Sequence, residues 1–229
     1  MPQRPRNVRR FGALLGALLL MMVVLPFFPE SRMPLPVVSV LFSVLLIASV
    51  YAVSQHPRVL VVGLVLGAPT LVMEWITKID APVAVMVIDH VASIVFLSFV
   101  IGVLLTRILR QQDVTTDTIY GGICVYLLAG VVWAYGYDLI ETVVPGSFRF
   151  GEGPLPEGFS PLAQAERSRR FFFFSFVTLT TLGYGDITPV TQQARAIAIL
   201  EAVAGPLFLA IFIARLVGLH MVQARRERD

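Results

Sequence analysis

Two glycines one residue apart, Gly183 and Gly185, sit in the stretch Thr181-Leu182-Gly183-Tyr184-Gly185-Asp186, shortly after a run of phenylalanines, Phe171 to Phe174. The chemistry open to such a stretch is coordination of a dehydrated cation by main-chain carbonyls. A short strand aims successive carbonyls to one side by alternating through backbone angles that a Cβ disfavours, and glycine adopts those angles at little cost. Several copies of the strand around one axis then replace the water that the ion sheds. On this reading Leu182 and Tyr184 turn their side chains outward to pack, and Thr181 adds a hydroxyl at one end. Tyr135-Gly136-Tyr137-Asp138 superficially echoes the pattern, but it lies within an apolar helical run and lacks the second glycine.

Other residues invite weaker readings. Asp89 and His90 fall within one apolar run, and Glu74 lies near the end of the run before it. Such groups can form a proton or metal site; the preferred reading is a polar cluster joining helices near one membrane face. Glu201 is costly in lipid and must face protein or water, so it is expected to hydrogen-bond around the apolar helix before the glycine pair and not to line a conduction path. His220 and Arg215 lie near the end of the last apolar run, where interfacial placement is the simpler expectation and proton sensing by His220 the alternative. The single cysteine, Cys124, excludes an intrachain disulfide framework or a cysteine-based metal site.

The elements that must position these residues belong in a bilayer. With 56% hydrophobic and 14% charged residues among 229, and a mean hydropathy of +0.79, the chain has too little polar surface to coat a soluble globule. Nucleic-acid binding is not expected, because no basic face interleaved with exposed aromatics occurs. A crossing takes roughly 20 apolar residues, and candidates run near 11–28, 35–54, 59–77, 82–106, 117–143 and 191–220. Turn signals at Pro29, Pro34, Pro36, His56-Pro57 and Asp80-Ala81-Pro82 separate them. Residues 107–116 are amphipathic enough to lie along the inner surface, and Thr115 or Thr116 can cap the next helix. Residues 144–190 begin rich in Pro, Gly and charge and end apolar and aromatic, the pattern of a wet loop followed by a re-entrant segment. Arginine clusters at both chain ends and at Arg58, Arg107 and Arg110 place both termini in the cytoplasm. The basic-then-apolar start resembles a signal peptide but lacks a small-residue cleavage site, so it is read as a retained helix.

From Phe171 to Pro189 the sequence closely resembles the pore loop of potassium channels, and the resemblance extends over about residues 117–220. The chain is similar to the six-transmembrane, one-pore-loop prokaryotic type that lacks an arginine-rich voltage-sensor helix. That resemblance implies an all-α membrane protein: six transmembrane helices plus a re-entrant pore helix, Arg170 to Thr180, and a selectivity filter, assembled as a fourfold homotetramer. It implies that carbonyls of Thr181, Leu182, Gly183 and Tyr184 line potassium sites, with Gly185 at the exit. Thr180, Asp186, Glu201 and Phe174 would support the filter, while Gly205 beside Pro206 would be a gating hinge or a bend in the pore-lining helix. The pore helix would turn its partly negative C-terminal end toward the permeant ion.

Departures from the family pattern are specific. Leu182 stands where valine is commonest, Phe174 where a tryptophan often hydrogen-bonds the filter tyrosine, and Val177 where some members carry a glutamate that partners the aspartate at Asp186. The implied division is a cytoplasmic N-terminus (1–10), a four-helix peripheral domain (11–106), a linker (107–116), a pore domain (117–220) and a cytoplasmic tail (221–229). The implied function is passive potassium conduction without steep voltage gating, with no enzyme activity, no cofactor beyond potassium as permeant ligand, membrane lipid and identical subunits as partners, and a prokaryotic inner or plasma membrane as location. The short tail leaves no room for a cytoplasmic ligand-binding domain, so the gating stimulus stays open. A potassium transporter subunit and a non-conducting accessory protein are the alternatives, the first disfavoured by the single loop with both glycines.

Overall fold

The computed structural model describes residues 6–27, 36–54, 57–76, 82–151, 153 and 161–226. These residues form helices α1 (Arg6–Phe27), α2 (Pro36–Val53), α3 (Pro57–Ile76), α4 (Val83–Arg110), α5 (Thr116–Val143), α6 (Pro161–Leu179) and α7 (Gln192–Arg226), with strands β1 (Phe148–Phe150) and β2 (Ile187–Pro189). The expected turns at Pro29, Pro34, His56 and Asp80-Ala81 lie outside the described residues, as do Arg4, Arg32, Lys78 and Arg228.

The chain is mostly helical, and α3, α4, α5 and α7 are each long and apolar enough to cross a membrane. The two N-terminal helices carry shorter apolar segments, Phe11–Val24 and Ser39–Val53. α4 runs on to Arg110, four residues past the expected end of that span. Two guanidiniums hold this extension: Arg107 donates to the Ala52 and Val53 carbonyls at the end of α2 (2.9 and 3.1 Å), and Arg215 of α7 donates to the Leu109 carbonyl at 2.5 Å. Both guanidiniums satisfy helix-end carbonyls that otherwise lack donors. α5 then starts at a reciprocal capping box in which Thr115 Oγ1 accepts from Thr118 N–H and Thr118 Oγ1 from Thr115 N–H, at 3.3 and 3.2 Å. Such a cap contributes about 1 kcal/mol.

Packing makes α5 the shared wall. It contacts α4 and α1 on one side and α6 and α7 on the other, while α1 with α2, α2 with α3, and α3 with α4 complete the peripheral group. Leu14, Leu18, Phe42, Leu45, Phe96, Leu97, Leu104 and Leu128 fill the core between them. Helices without a hydrophobic drive toward one another in lipid approach closely through small residues. Thus a Cβ at Gly130 would lie 2.8 Å from the Phe176 ring, and one at Gly67 2.9 Å from that of Phe96.

A two-stranded antiparallel ribbon departs from the all-helical expectation. β1 pairs with β2 in the register Phe148↔Pro189, Arg149↔Thr188 and Phe150↔Ile187. It ties the start of the 144–160 connection to the segment that follows the glycine pair, and so fixes both ends of the loop that carries α6.

Candidate functional site

α6 delivers the chain to Thr180, and its last carbonyls hold the turn that follows. Thr181 N–H donates to Thr178 O and Leu182 N–H to Val177 O, both at 2.9 Å. Val177 thus contributes its carbonyl to the turn. Thr181, Gly183 and Gly185 then adopt positive φ of 58°, 63° and 81°. A left-handed residue at every second position is the alternation that lets successive carbonyls face one side. Gly183 and Gly185 take it freely; Thr181 takes it at a cost of about 1–2 kcal/mol, the kind of strain that collects at functional sites. The glycine spacing foretold two of the three positions and missed Thr181. Among the described residues no group of three or more His, Cys, Asp or Glu is arranged to hold a metal ion.

Leu182 and Tyr184 are exposed within the single chain, at 56% and 66%, which leaves their outward faces to be covered by something else. The Tyr184 ring stacks at 8° and 6.1 Å on Phe173. Phe174 instead turns inward, 4.9 Å from Tyr137 and 5.6 Å from Phe148. Within one chain, therefore, the ring stacked on Tyr184 is that of Phe173.

Behind the segment, Glu201 of α7 is fully buried. It accepts from Ser175 of α6 at 2.5 Å and, through a short bond, from the Tyr137 hydroxyl of α5. Ser175 also contacts the Gly130 carbonyl at 2.7 Å. One carboxylate thereby joins three helices. Tyr126 adds a bond from α5 to the Leu179 carbonyl at 3.2 Å. α7 passes so near this point that a Cβ on Gly205 would lie 2.1 Å from Leu179 O. Close approach is what Gly205 permits here, and α7 continues through Gly205 and Pro206 without interruption; Pro206 lacks the N–H that would otherwise bond one turn back.

At the ribbon, the Asp186 carbonyl accepts from Gly151 N–H at 2.7 Å, and Glu141 takes the Gly146 and Phe148 N–H groups at 2.8 and 3.1 Å. Thr180 Oγ1 donates back to Phe176 O at 2.6 Å. Near the start of α6, burial would raise the Glu166 carboxyl, but hydrogen bonds and charge from Arg170 and Arg169 outweigh it and hold the group below the ordinary carboxylate range.

A second polar cluster lies between the peripheral helices and α6. His90 of α4 faces Asp138 of α5 at 3.1 Å, and Arg167 and Ser168 of α6 reach the same carboxylate at 2.5 and 3.0 Å. Glu74 and Asp89 line the same cavity. Asp138 and Arg167 carry this junction, and the sequence reading singled out neither for it. The signal available was the rule applied to Glu201, a carboxylate inside an apolar run. His220 sits on α7 away from both clusters.

The mostly helical fold, with four helices long and apolar enough to cross a membrane, supports an integral membrane protein, and α6 leads into a segment of alternating positive φ. Residues 168–220 match the family model described as Ion channel. The chain is 41% identical over 56 residues to the voltage-gated potassium channel Kch of Escherichia coli, covering 24% of this chain and 13% of that one. It is 32% identical over 90 residues to the inward rectifier potassium channel Kirbac3.1 of Paramagnetospirillum magnetotacticum, covering 38% and 24%. It is 34% identical over 92 residues to the two pore potassium channel c of Oryza sativa subsp. japonica, covering 40% and 16%. The matched segments thus span less than a quarter of each of these relatives. No solved structure gives a significant match. These similarities, all carried by part of the chain, support a potassium channel family.

Proposed function

We propose that the chain is one subunit of a homotetrameric channel that conducts potassium passively through a central fourfold pore. The observation that carries this reading is the alternation of positive φ at Thr181, Gly183 and Gly185 immediately beyond the C-terminal end of α6. Carbonyls facing one way form a partial cage, and a complete one needs copies around an axis. Thr181, Leu182, Gly183 and Tyr184 contribute the oxygens for potassium, and Gly185 forms the exit. Thr180, Asp186, Glu201 and Phe174 support them, with Gly205 and Pro206 shaping the pore-lining helix. The exposed apolar residues of α7, such as Ile199, Leu200, Ile211 and Ile213, and the exposed Leu182 and Tyr184 are faces that neighbouring copies would cover. Both termini lie in the cytoplasm of a prokaryotic inner membrane on this reading, and opening is not steeply voltage-dependent.

Single-channel recording from purified protein in planar bilayers tests it. Discrete potassium currents are expected; a transporter or an accessory protein would give none, and their absence at every voltage and lipid composition tried would remove the reading.

A further inference from the structure

The junction between the peripheral helices and α6 contains a histidine whose two ring nitrogens both face acceptors. Nδ1 lies 2.5 Å from the Met86 carbonyl. A carbonyl only accepts, so Nδ1 carries a hydrogen. Nε2 lies 3.1 Å from Asp138 Oδ2, an oxygen that also accepts from Ser168 at 3.0 Å, while Oδ1 faces Arg167 Nε at 2.5 Å. A carboxylate facing a guanidinium offers lone pairs and no hydrogen, so Nε2 must donate as well. Neutral imidazole has one donor and one acceptor; it can satisfy one of these two contacts and sets a lone pair against the other.

We propose that His90 is a proton-binding site, and that the bound proton clamps α4 to α5 and α6, coupling the peripheral helices to the helix that carries the filter. The coupling to conduction rests on the channel reading above; the proton site does not. His90, Asp138 and Arg167 are buried, and a cavity of about 50 Å³ beside them has room for a few waters that could deliver the proton. The titratable and charged groups facing this space, among the described residues, are Glu74 from α3, Asp89 from α4, Tyr135 and Asp138 from α5, and Arg167 and Arg169 from α6, with Met21 of α1 and Phe42 of α2 also lining it. Arg169 pairs with Glu166 at 2.9 Å, while Arg167 meets Asp138 on the oxygen opposite the one that faces His90. The protonated state makes both contacts and is favoured at low pH. As pH rises the proton leaves, one contact is lost, and α4 loosens from the start of α6. Asp138 and Arg167 lie toward the ends of their helices nearest the 144–160 connection, so the proton exchanges with that side of the membrane.

The test combines a proton readout with a current readout on the full-length protein. With His56→Gln and His220→Gln removing the other histidines, ¹⁵N spectra should show both His90 nitrogens protonated at low pH and one deprotonated as pH is raised. A single neutral tautomer at all pH values would overturn the site. In bilayers, raising pH from about 5 to 10 on the side of the 144–160 connection should lower potassium current about fivefold or more. His90→Gln should flatten that response while leaving potassium selectivity intact. An undiminished pH response in His90→Gln would overturn the clamp. Protonated ring signals in a protein that passes no current would support the proton site and remove the channel reading instead.

Discussion

At the scale of single residues, backbone angle and close approach decide the outcome. Gly183 sits at φ 63° with open space around a would-be Cβ within its own chain, so Gly183→Ala meets no clash inside the subunit and carries backbone strain of about 1–2 kcal/mol per chain. Selective potassium conduction should disappear while the protein still folds, checked by reversal potential alongside circular dichroism. Gly205→Ala meets the Leu179 carbonyl at 2.1 Å and should push α7 from the end of α6. Overpacking of this kind costs about 1–3 kcal/mol, to be read as a lowered midpoint of thermal unfolding in detergent; an unchanged midpoint would show that α7 does not press on α6. The two glycines were legible as special positions for different reasons. Gly183 was identified by its spacing from Gly185, whereas the contact that requires Gly205 joins residues far apart in the chain and only the fold reveals it.

At the scale of elements, α6 is held by contacts that no local pattern announces. Glu201 was legible as a buried carboxylate needing partners, but Ser175 and Tyr137, which supply them, are ordinary residues in apolar runs. Tyr137→Phe removes one donor and leaves Ser175 bonded to Glu201. It should lower stability by about 1–2 kcal/mol, measured by chemical unfolding in detergent micelles, with Ser175→Ala expected to act in the same direction. The β1–β2 ribbon was not foreseen, because two strands of three residues carry no readable alternation. In that register Thr188 lies on the ribbon, just past the glycine pair, and offers no ring to a quaternary ammonium, so on the channel reading external tetraethylammonium should block weakly and Thr188→Tyr should strengthen block. Equal sensitivity of the two proteins would show that Thr188 does not face the outer mouth.

At the scale of the whole molecule, the four helices long and apolar enough to cross a membrane were visible in composition, since lipid demands long uninterrupted apolar stretches. How α1 and α4 pack on α5 and α6 was not, because the apolar core and the polar contacts between them join residues distant in the chain. Residues 82–106 contain no Lys or Arg, and Arg107 is committed to carbonyls at the end of α2, so α4 offers no row of mobile charges. Moving one charge through the membrane is worth about 2.3 kcal/mol per 100 mV, and conductance should therefore rise only shallowly with voltage. A gating charge of several elementary charges per subunit, with conduction blocked, would contradict that. The central claim, that Thr181 to Gly185 form a potassium filter, is tested most directly by the reversal potential of purified protein in bilayers with potassium on one side and sodium on the other. The account predicts reversal close to the potassium equilibrium potential; reversal near zero, which means equal permeability to both ions, would contradict it.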